Sequence, residues 1–230
     1  MKTEIHDFQM SILRTLLFRP GAHFSELNKV DVTSDHFNFH IKKLIEDGLI
    51  IKKDKGYFLT IEGKKFAGKI DTDTLKVEKQ AKISVAMHAV REVDGERQYL
   101  IHHRLKEPFF GWYGSHSGKV HWGETTEEAA RREFFEEAGL NGDFTLKGIV
   151  HCRDYDKDGN LLDEKFIWVY RVDNVVGEMR EKVEEGENIW MTEKEYRQLK
   201  NTFADFEEME KMVENKQLTF SNRERVVEGF

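Results

Sequence analysis

Residues 118–140, GKVHWGETTEEAARREFFEEAGL, constrain this chain more than any other stretch, because they put a capped helix and a concentration of like charge in one place. Thr125 and Glu128 have the spacing of a capping box, and Gly139 is suited to end a helix, so the spacing predicts a helix from about Thr126 to Ala138. At about 100° per residue, Ala130, Phe134 and Ala138 form an apolar stripe, with Glu133, Glu136 and Glu137 fanned directly beside it. The acids therefore border the packed side of the helix. Neighbours at these spacings sit about 6 Å apart, so each pair of anions costs on the order of 3 kcal/mol at an effective dielectric of about 20. That is a heavy load for a domain stable by roughly 5–15 kcal/mol. Arg132, four residues before Glu136, neutralises part of it. One monovalent side chain cannot serve three carboxylates, whereas a divalent cation can. Oxygen ligands without His or Cys favour a hard ion, Mg²⁺ first and Mn²⁺ second. Mg²⁺ keeps waters and commonly bridges carboxylates to phosphates, which makes a diphosphate the expected guest.

Gly118, Glu124, Arg132, Glu133, Phe134, Glu136, Glu137, Gly139 and Leu140 stand at the intervals of the Nudix box, and the chain resembles the Nudix hydrolases over residues 80 to about 200. The resemblance implies an α/β/α sandwich with a mixed sheet, and hydrolysis of a nucleoside diphosphate linked to another group. It implies that Glu133, Glu136 and Glu137 ligate the metal, that Glu133 or a Glu outside the box takes a proton from the attacking water, and that Arg132 orients the acids. The Gly118 carbonyl is a further expected ligand, and Glu124 is expected to organise the loop. Members often add an acid from a later loop. Here EKVEEGENIW offers Glu184, Glu185 and Glu187, of which Glu187, shortly before Trp190, is favoured. Arg104 is the expected phosphate contact. The chain departs from the family at SHSGKVHWGE, where one of the usual two glycines survives. His116 and His121 flank it, and Trp112, Tyr113 and Trp122 are expected to be core aromatics rather than base-stacking ones. No mark of coenzyme A, NADH or ADP-ribose hydrolysis stands out.

The polar stretch KIDTDTLKVEKQAK, residues 69–82, separates this region from a differently patterned one, giving expected domains of 1–75 and 80–230 and an α+β two-domain fold. Phe8, Ile12, Leu16 and Leu17 recur at helical spacing up to Pro20-Gly21, and a short second helix follows from Ser25. A third helix opens at Thr33 or Ser34, buries Phe37, Ile41, Leu44 and Ile45, and stops at Gly48. IIKKDKGYFLTI reads as two strands around a turn, with a last helix from about Glu62. Three helices and a β-wing, with the phrase FHIKKLIEDGLI, resemble the winged helix-turn-helix domains of bacterial and archaeal regulators. The resemblance implies a third helix in the major groove and a wing on the backbone of double-stranded DNA. His36, Asn38, Lys42 and Lys43 are left outside the buried stripe, and Lys53 and Lys55 lie on the wing, so these are the expected DNA-binding residues.

Beyond the boundary, KISVAMHAV and QYLIHH read as strands, and LKGIVHCRDY and FIWVYRV as a hairpin around Asp158-Gly159. Thr192 and Glu195 predict a long helix through about Met212, and the final QLTFSNRERVVEGF has no assignment. The net charge of −7 divides unevenly, +1 over residues 1–75 and −8 over the rest. No apolar run approaches the roughly 18 residues of a membrane span, and MKTEIHDFQM has no apolar signal core. Cys152 is the only cysteine, which excludes an internal disulfide and a thiolate zinc site and fits a reducing cytoplasm. The expectation is a cytoplasmic, homodimeric Mg²⁺-dependent hydrolase with a DNA-binding winged helix. The competing expectation is a transcription regulator whose Nudix domain senses a nucleotide metabolite such as ADP-ribose.

Overall fold

A computed structural model describes residues 6–28, 33–204 and 206–227. Residues 1–5, part of the segment expected to lack a signal, and 228–230, the end of the unassigned tail, lie outside the described residues. The chain divides into two compact units, Met1–Lys79 and Gln80–Phe230.

The first unit runs α1 (Asp7–Phe18), β1 (Ala22–His23), α2 (Phe24–Leu27), α3 (Ser34–Glu46), β2 (Ile50–Lys53), β3 (Gly56–Leu59) and α4 (Ile61–Ala67). Its small sheet has the order β1-β3-β2, antiparallel throughout. This is a winged helix. Thr33 caps α3 by accepting from the His36 N–H at 3.4 Å, and Gly48, at φ +70°, takes the left-handed turn after it. Phe37, Ile41 and Leu44 face the core with Ile12, Leu13 and Leu16 of α1. The expected stripe is wrong at one position: Ile45 is 40% exposed, whereas His40 is buried at 4%. His40 goes inward because its ring packs among those of His6, Phe8 and His36, an aromatic cluster that a hydropathy pattern does not register.

The second unit begins with β4 (Lys82–Val93) and β5 (Glu96–Arg104), then β6 (Tyr113–Gly114), β7 (His116–Lys119) and α5 (Thr126–Ala138). The long strands β8 (Leu140–Tyr155) and β9 (Leu161–Gly177) follow, then β10 (Lys182–Val183), β11 (Gly186–Thr192), α6 (Glu193–Tyr196), α7 (Phe206–Glu214) and β12 (Thr219–Val226). The sheet is ordered β10-β11-β5-β4-β9-β8-β12, with β6 on β5 and β7 on β4. It is mixed: β4–β9 and β8–β12 are parallel and the other pairs antiparallel. Alternation along β4 decides what covers each face. Val85, Met87 and Ala89 pack under α5, while Val90 belongs to the core beneath α6 and α7.

The β8–β9 hairpin turns where Asp156 Oδ1 accepts from the Asp158 and Asn160 N–H groups and Gly159 adopts φ +82°. The long helix expected after Thr192 is instead two. Thr192 does cap α6, but the chain leaves the helix after Arg197 because Asn201 and Phe203 pair with the backbone of Tyr113. The unassigned tail is β12, an edge strand that alternates half-buried and exposed residues. Among the described residues no helix is long and apolar enough to cross a membrane.

Gly63, inside α4, tests the packing of the first unit. A Cβ there would lie 1.8 Å from the Leu49 carbonyl oxygen, which the Thr60 N–H already holds at 3.0 Å. Helix propensity alone favours Ala over Gly by about 1 kcal/mol. Gly63→Ala is nevertheless expected to lower the melting temperature of the N-terminal transition in calorimetry, and a variant as stable as the parent would contradict this packing.

Candidate active site

Helix α5 forms where the capping box places it. Thr125 Oγ1 accepts from the Glu128 N–H at 3.2 Å, and Glu128 Oε2 accepts from the Thr125 N–H at 2.8 Å. Gly139, at φ +73°, ends it in the left-handed region. Ala129, Ala130, Phe134 and Ala138 are fully buried against the sheet. This rigid seating leaves Glu133, Glu136 and Glu137 along the edge of the packed face.

Arg132 is the cation among them. Its Nε and Nη2 donate to the two oxygens of Glu124 at 2.6 and 2.9 Å, and Nη2 also donates to the Lys119 carbonyl at 3.1 Å. Its Nη1 lies 2.9 Å from Glu133 Oε1 and 3.2 Å from Glu136 Oε2. The bidentate pair with Arg132 brings the Glu124 carboxyl down to about 2, and Glu124 in turn accepts from the His121 N–H at 2.8 Å. Glu124 therefore ties the 118–125 loop to the helix. Gly118 meets a steric demand at the same place: a Cβ on it would lie 1.9 Å from Glu133 Cδ. A side chain at 118 would have to displace the Glu133 carboxylate from its contact with Arg132.

Glu137 is different in kind. Burial, reinforced by the negative charge of Glu133 and Glu185, pushes its carboxyl up to about 8. Its Oε2 is buried with no hydrogen-bond partner. Among the described residues no three His, Cys, Asp or Glu side chains are gathered closely enough to hold a metal ion as they stand, since Arg132 bridges Glu133 and Glu136 instead. The chemistry of the donors still fits a hard divalent ion: all are oxygens, and one of them lacks a partner. Glu133, Glu136 and Glu137 could hold such an ion, with the Gly118 carbonyl beside Glu133.

All three acids line one end of a cleft of about 730 Å³. Its floor is the second face of the sheet, with Ser84, Ala86 and His88 on β4, and its far side carries Met209 and Met212 of α7 and Arg223 and Arg225 of β12. His88 lies deep in it, where burial brings the imidazole down to about 4, and Ser115 Oγ is hydrogen-bonded to its Nδ1. Arg104 also lines the cleft, its guanidinium donating to the Pro108 carbonyl at 2.8 Å and the Glu107 carbonyl at 3.2 Å.

The later-loop acid is placed differently from expectation. Glu187 lies on β11 in register with His103 and pairs with Lys182 at 3.0 Å, which holds its carboxyl below the usual range. Glu184 and Glu185 face the cleft, and the Glu185 carboxylate is paired with Lys106, which lowers it. Because β11 sets Glu187 in register with His103, the acids of this loop that line the cleft are Glu184 and Glu185 rather than the favoured Glu187. His116 is fully buried rather than facing the loop, and burial brings it down to about 3. Trp112 and Tyr113 are half-buried and pack on Phe109 and His103, whereas Trp122, also expected in the core, is fully exposed. In the first unit His36, Asn38, Lys42, Lys53 and Lys55 are exposed on α3 and the wing. Lys43 pairs with Asp47 at 3.0 Å, and the His36 ring contacts Phe8 and His40.

The family profile described as NUDIX domain matches residues 82–213. The chain is 31% identical over 131 residues to the ADP-ribose pyrophosphatase of Methanocaldococcus jannaschii, covering 55% of this chain and 73% of that protein. It is 40% identical over 84 residues to the oxidized purine nucleoside triphosphate hydrolase of Danio rerio, covering 35% of this chain and 51% of that one. Its fold is similar to the NUDIX domain of Shewanella oneidensis NrtR complexed with ADP ribose, with a TM-score of 0.52 at 15% identity over 66% of this chain and 96% of that chain.

The raised Glu137 carboxyl has a consequence for stability. Between about pH 4.5 and 8 the folded protein keeps a proton there that the unfolded chain has released, so the folded state loses on the order of 1 kcal/mol per pH unit across that window. Metal-free Glu137→Gln is expected to melt several degrees above the parent at pH 8.5 and level with it at pH 4.5. Parallel melting curves for the two proteins at both pH values would contradict this burial.

Proposed function

The chain belongs to the Nudix family, and from that premise we propose that this pyrophosphohydrolase is Mg²⁺-dependent and cleaves the diphosphate linkage of a nucleoside diphosphate derivative, with ADP-ribose as the first candidate. One observation carries the reading: three helix carboxylates, one of them buried and short of a partner, stand at the end of a cleft large enough for a nucleotide. Glu133, Glu136 and Glu137 would hold Mg²⁺, or Mn²⁺ in its place, with the Gly118 carbonyl. Such an ion supplies charge neutralisation at the phosphates and a more acidic water. The protein contributes the rest. Arg132 keeps the acids and the 118–125 loop in one arrangement, and Arg104, which lines the cleft, is the proposed contact for a phosphate oxygen. Glu133, next to Gly118, is the proposed base for the attacking water, and Glu185, across the cleft and already neutralised by Lys106, is the alternative. The similarity to an ADP-ribose pyrophosphatase supports ADP-ribose over other nucleotides.

The winged unit supports a second role. Lys42, Lys53 and Lys55 are exposed on α3 and the wing, and with Lys43, His36 and Asn38 they form the proposed duplex-DNA surface. A homodimer would present two such surfaces to paired half-sites. The nucleotide bound by the Nudix unit would then bias transcription, as hydrolysed substrate or as sensed metabolite. The single cysteine, Cys152, is free and buried, which fits the cytoplasm.

Assayed with Mg²⁺ against ADP-ribose and a panel of other nucleoside diphosphate derivatives, the protein is expected to release a nucleoside monophosphate, and Glu136→Gln to lose this activity by orders of magnitude. Equal turnover by both proteins would remove the site assignment. Duplex binding is expected to weaken steeply with salt, and Lys42→Ala to reduce the slope of log K against log salt by about 1. A slope unchanged in that variant would take Lys42 out of the interface, and no binding at low salt would end the DNA proposal.

A further inference from the structure

A helix ends with carbonyl groups that have no partner of their own. In α5 the Gly139 N–H satisfies the Phe135 carbonyl at 2.9 Å, which leaves the carbonyls of Glu136, Glu137 and Ala138. The segment leading from β9 into β11 meets all three. Arg180 Nη1 donates to Glu136 at 2.6 Å, Asn188 Nδ2 donates to Glu137 at 2.8 Å, and the Arg180 N–H donates to Ala138 at 2.8 Å. Two of these carbonyls belong to residues whose carboxylates are proposed metal ligands.

Asn188 is 3% exposed and uses its whole hydrogen-bonding capacity. Besides Glu137, its Nδ2 donates to the Arg180 carbonyl at 2.7 Å. Carbonyls only accept, so the nitrogen must face them and the oxygen must face the other way. There Oδ1 lies 2.8 Å from His102 Nδ1 and 2.9 Å from His116 Nε2, and can only accept from both. Each ring therefore carries a proton on that atom. This explains the partnerless, buried Nδ1 of His116: in that tautomer it is a bare lone pair rather than a stranded N–H. One amide thus joins β5, β7, β11 and the end of α5, and His102 faces the same cleft as Glu137. A buried polar group with every bond made fixes geometry more firmly than apolar packing alone.

We propose that Asn188 and Arg180 form a clamp on the C-terminal end of α5 that sets the backbone position of Glu136 and Glu137, and through it metal affinity and turnover. Both are positioning residues. The proposal rests on the reading of the α5 acids as metal ligands. It goes beyond that reading because neither clamp residue lies in the box, and 44 and 51 residues separate the partners. Arg180 is exposed, with its Cγ beside Gly139 and its guanidinium over the Phe135 ring, so Arg180→Met keeps the aliphatic contact and the backbone N–H to Ala138 and removes the guanidinium's bond to the Glu136 carbonyl. Asn188→Ser is the buried counterpart, too short to span both carbonyls and both rings.

The test uses the full chain. Mn²⁺ binding followed by electron paramagnetic resonance is expected to weaken about 10-fold or more in each variant, with a similar fall in kcat and little change in KM. Hydrogen exchange of the metal-free proteins is expected to show faster exchange confined to the last turn of α5 and residues 180–188. If Asn188→Ser does not fold, Arg180→Met alone decides. Mn²⁺ affinity, kcat and exchange all within about twofold of the parent in Arg180→Met would overturn the clamp. A parent protein that binds no Mn²⁺ while the variants still lose protection in α5 would sink the metal-site reading and leave the clamp as a structural fact.

Discussion

The arrangement of the site depends on one guanidinium set among carboxylates. Arg132 reaches Glu124, Glu133, Glu136 and the Lys119 carbonyl at once, and these contacts, that with Glu124 foremost, raise it far above the ordinary arginine range. Without it the Glu133 and Glu136 carboxylates would face each other unpaired along a single edge of the helix. With it, the loop 118–125, strand β7 and helix α5 become one unit, and the close passage of Gly118 past Glu133 has a fixed partner to pass. The pair formed with Glu124 is bidentate, so it sets direction as well as charge. The same guanidinium bridges the two carboxylates that an incoming divalent ion would have to share.

The sheet explains how such a charged edge coexists with a stable fold. One face of β4 lies under α5 and is wholly apolar there, so the helix is seated by Ala129, Ala130, Phe134 and Ala138 rather than by its acids. The other face is only partly covered by α7, and the uncovered part is the floor of the cleft. Glu137 lies at the boundary between these two environments. It is buried enough to favour its protonated form, yet it lines the cleft from which an ion would arrive. An ion that replaces that proton brings uptake and deprotonation together.

Much of this was legible in the sequence where the signal was local. The capping box at Thr125 and Glu128, the stop at Gly139, the Asp158-Gly159 hairpin and the winged-helix order each depend on residues close together in the chain. The misses are tertiary. Ile45 has the hydropathy of a core residue, but His40 takes the inner position through ring contacts with residues from another helix. The helix expected after Thr192 breaks because the backbone of Tyr113, distant in sequence, pairs with Asn201 and Phe203. Strands β10, β11 and β12 are short or strongly charged, and pairing makes them strands: β10 on β11, β11 on β5 and β12 on β8. Without β11, neither the cleft position of Glu185 nor the four bonds of Asn188 could be read from residue order, since Asn188 looks like any polar loop residue until its partners arrive.

On the proposed reading, the α5 acids, two of which Arg132 holds in the metal-free state, would seat a divalent ion whose uptake displaces the Glu137 proton. Calorimetric titration of Mg²⁺ at pH 7 in two buffers of different ionisation enthalpy measures both parts together. Saturable binding with release of about one proton, the release disappearing in Glu137→Gln, is the predicted result. Binding without proton release, or no binding with nucleotide present or absent, would contradict it.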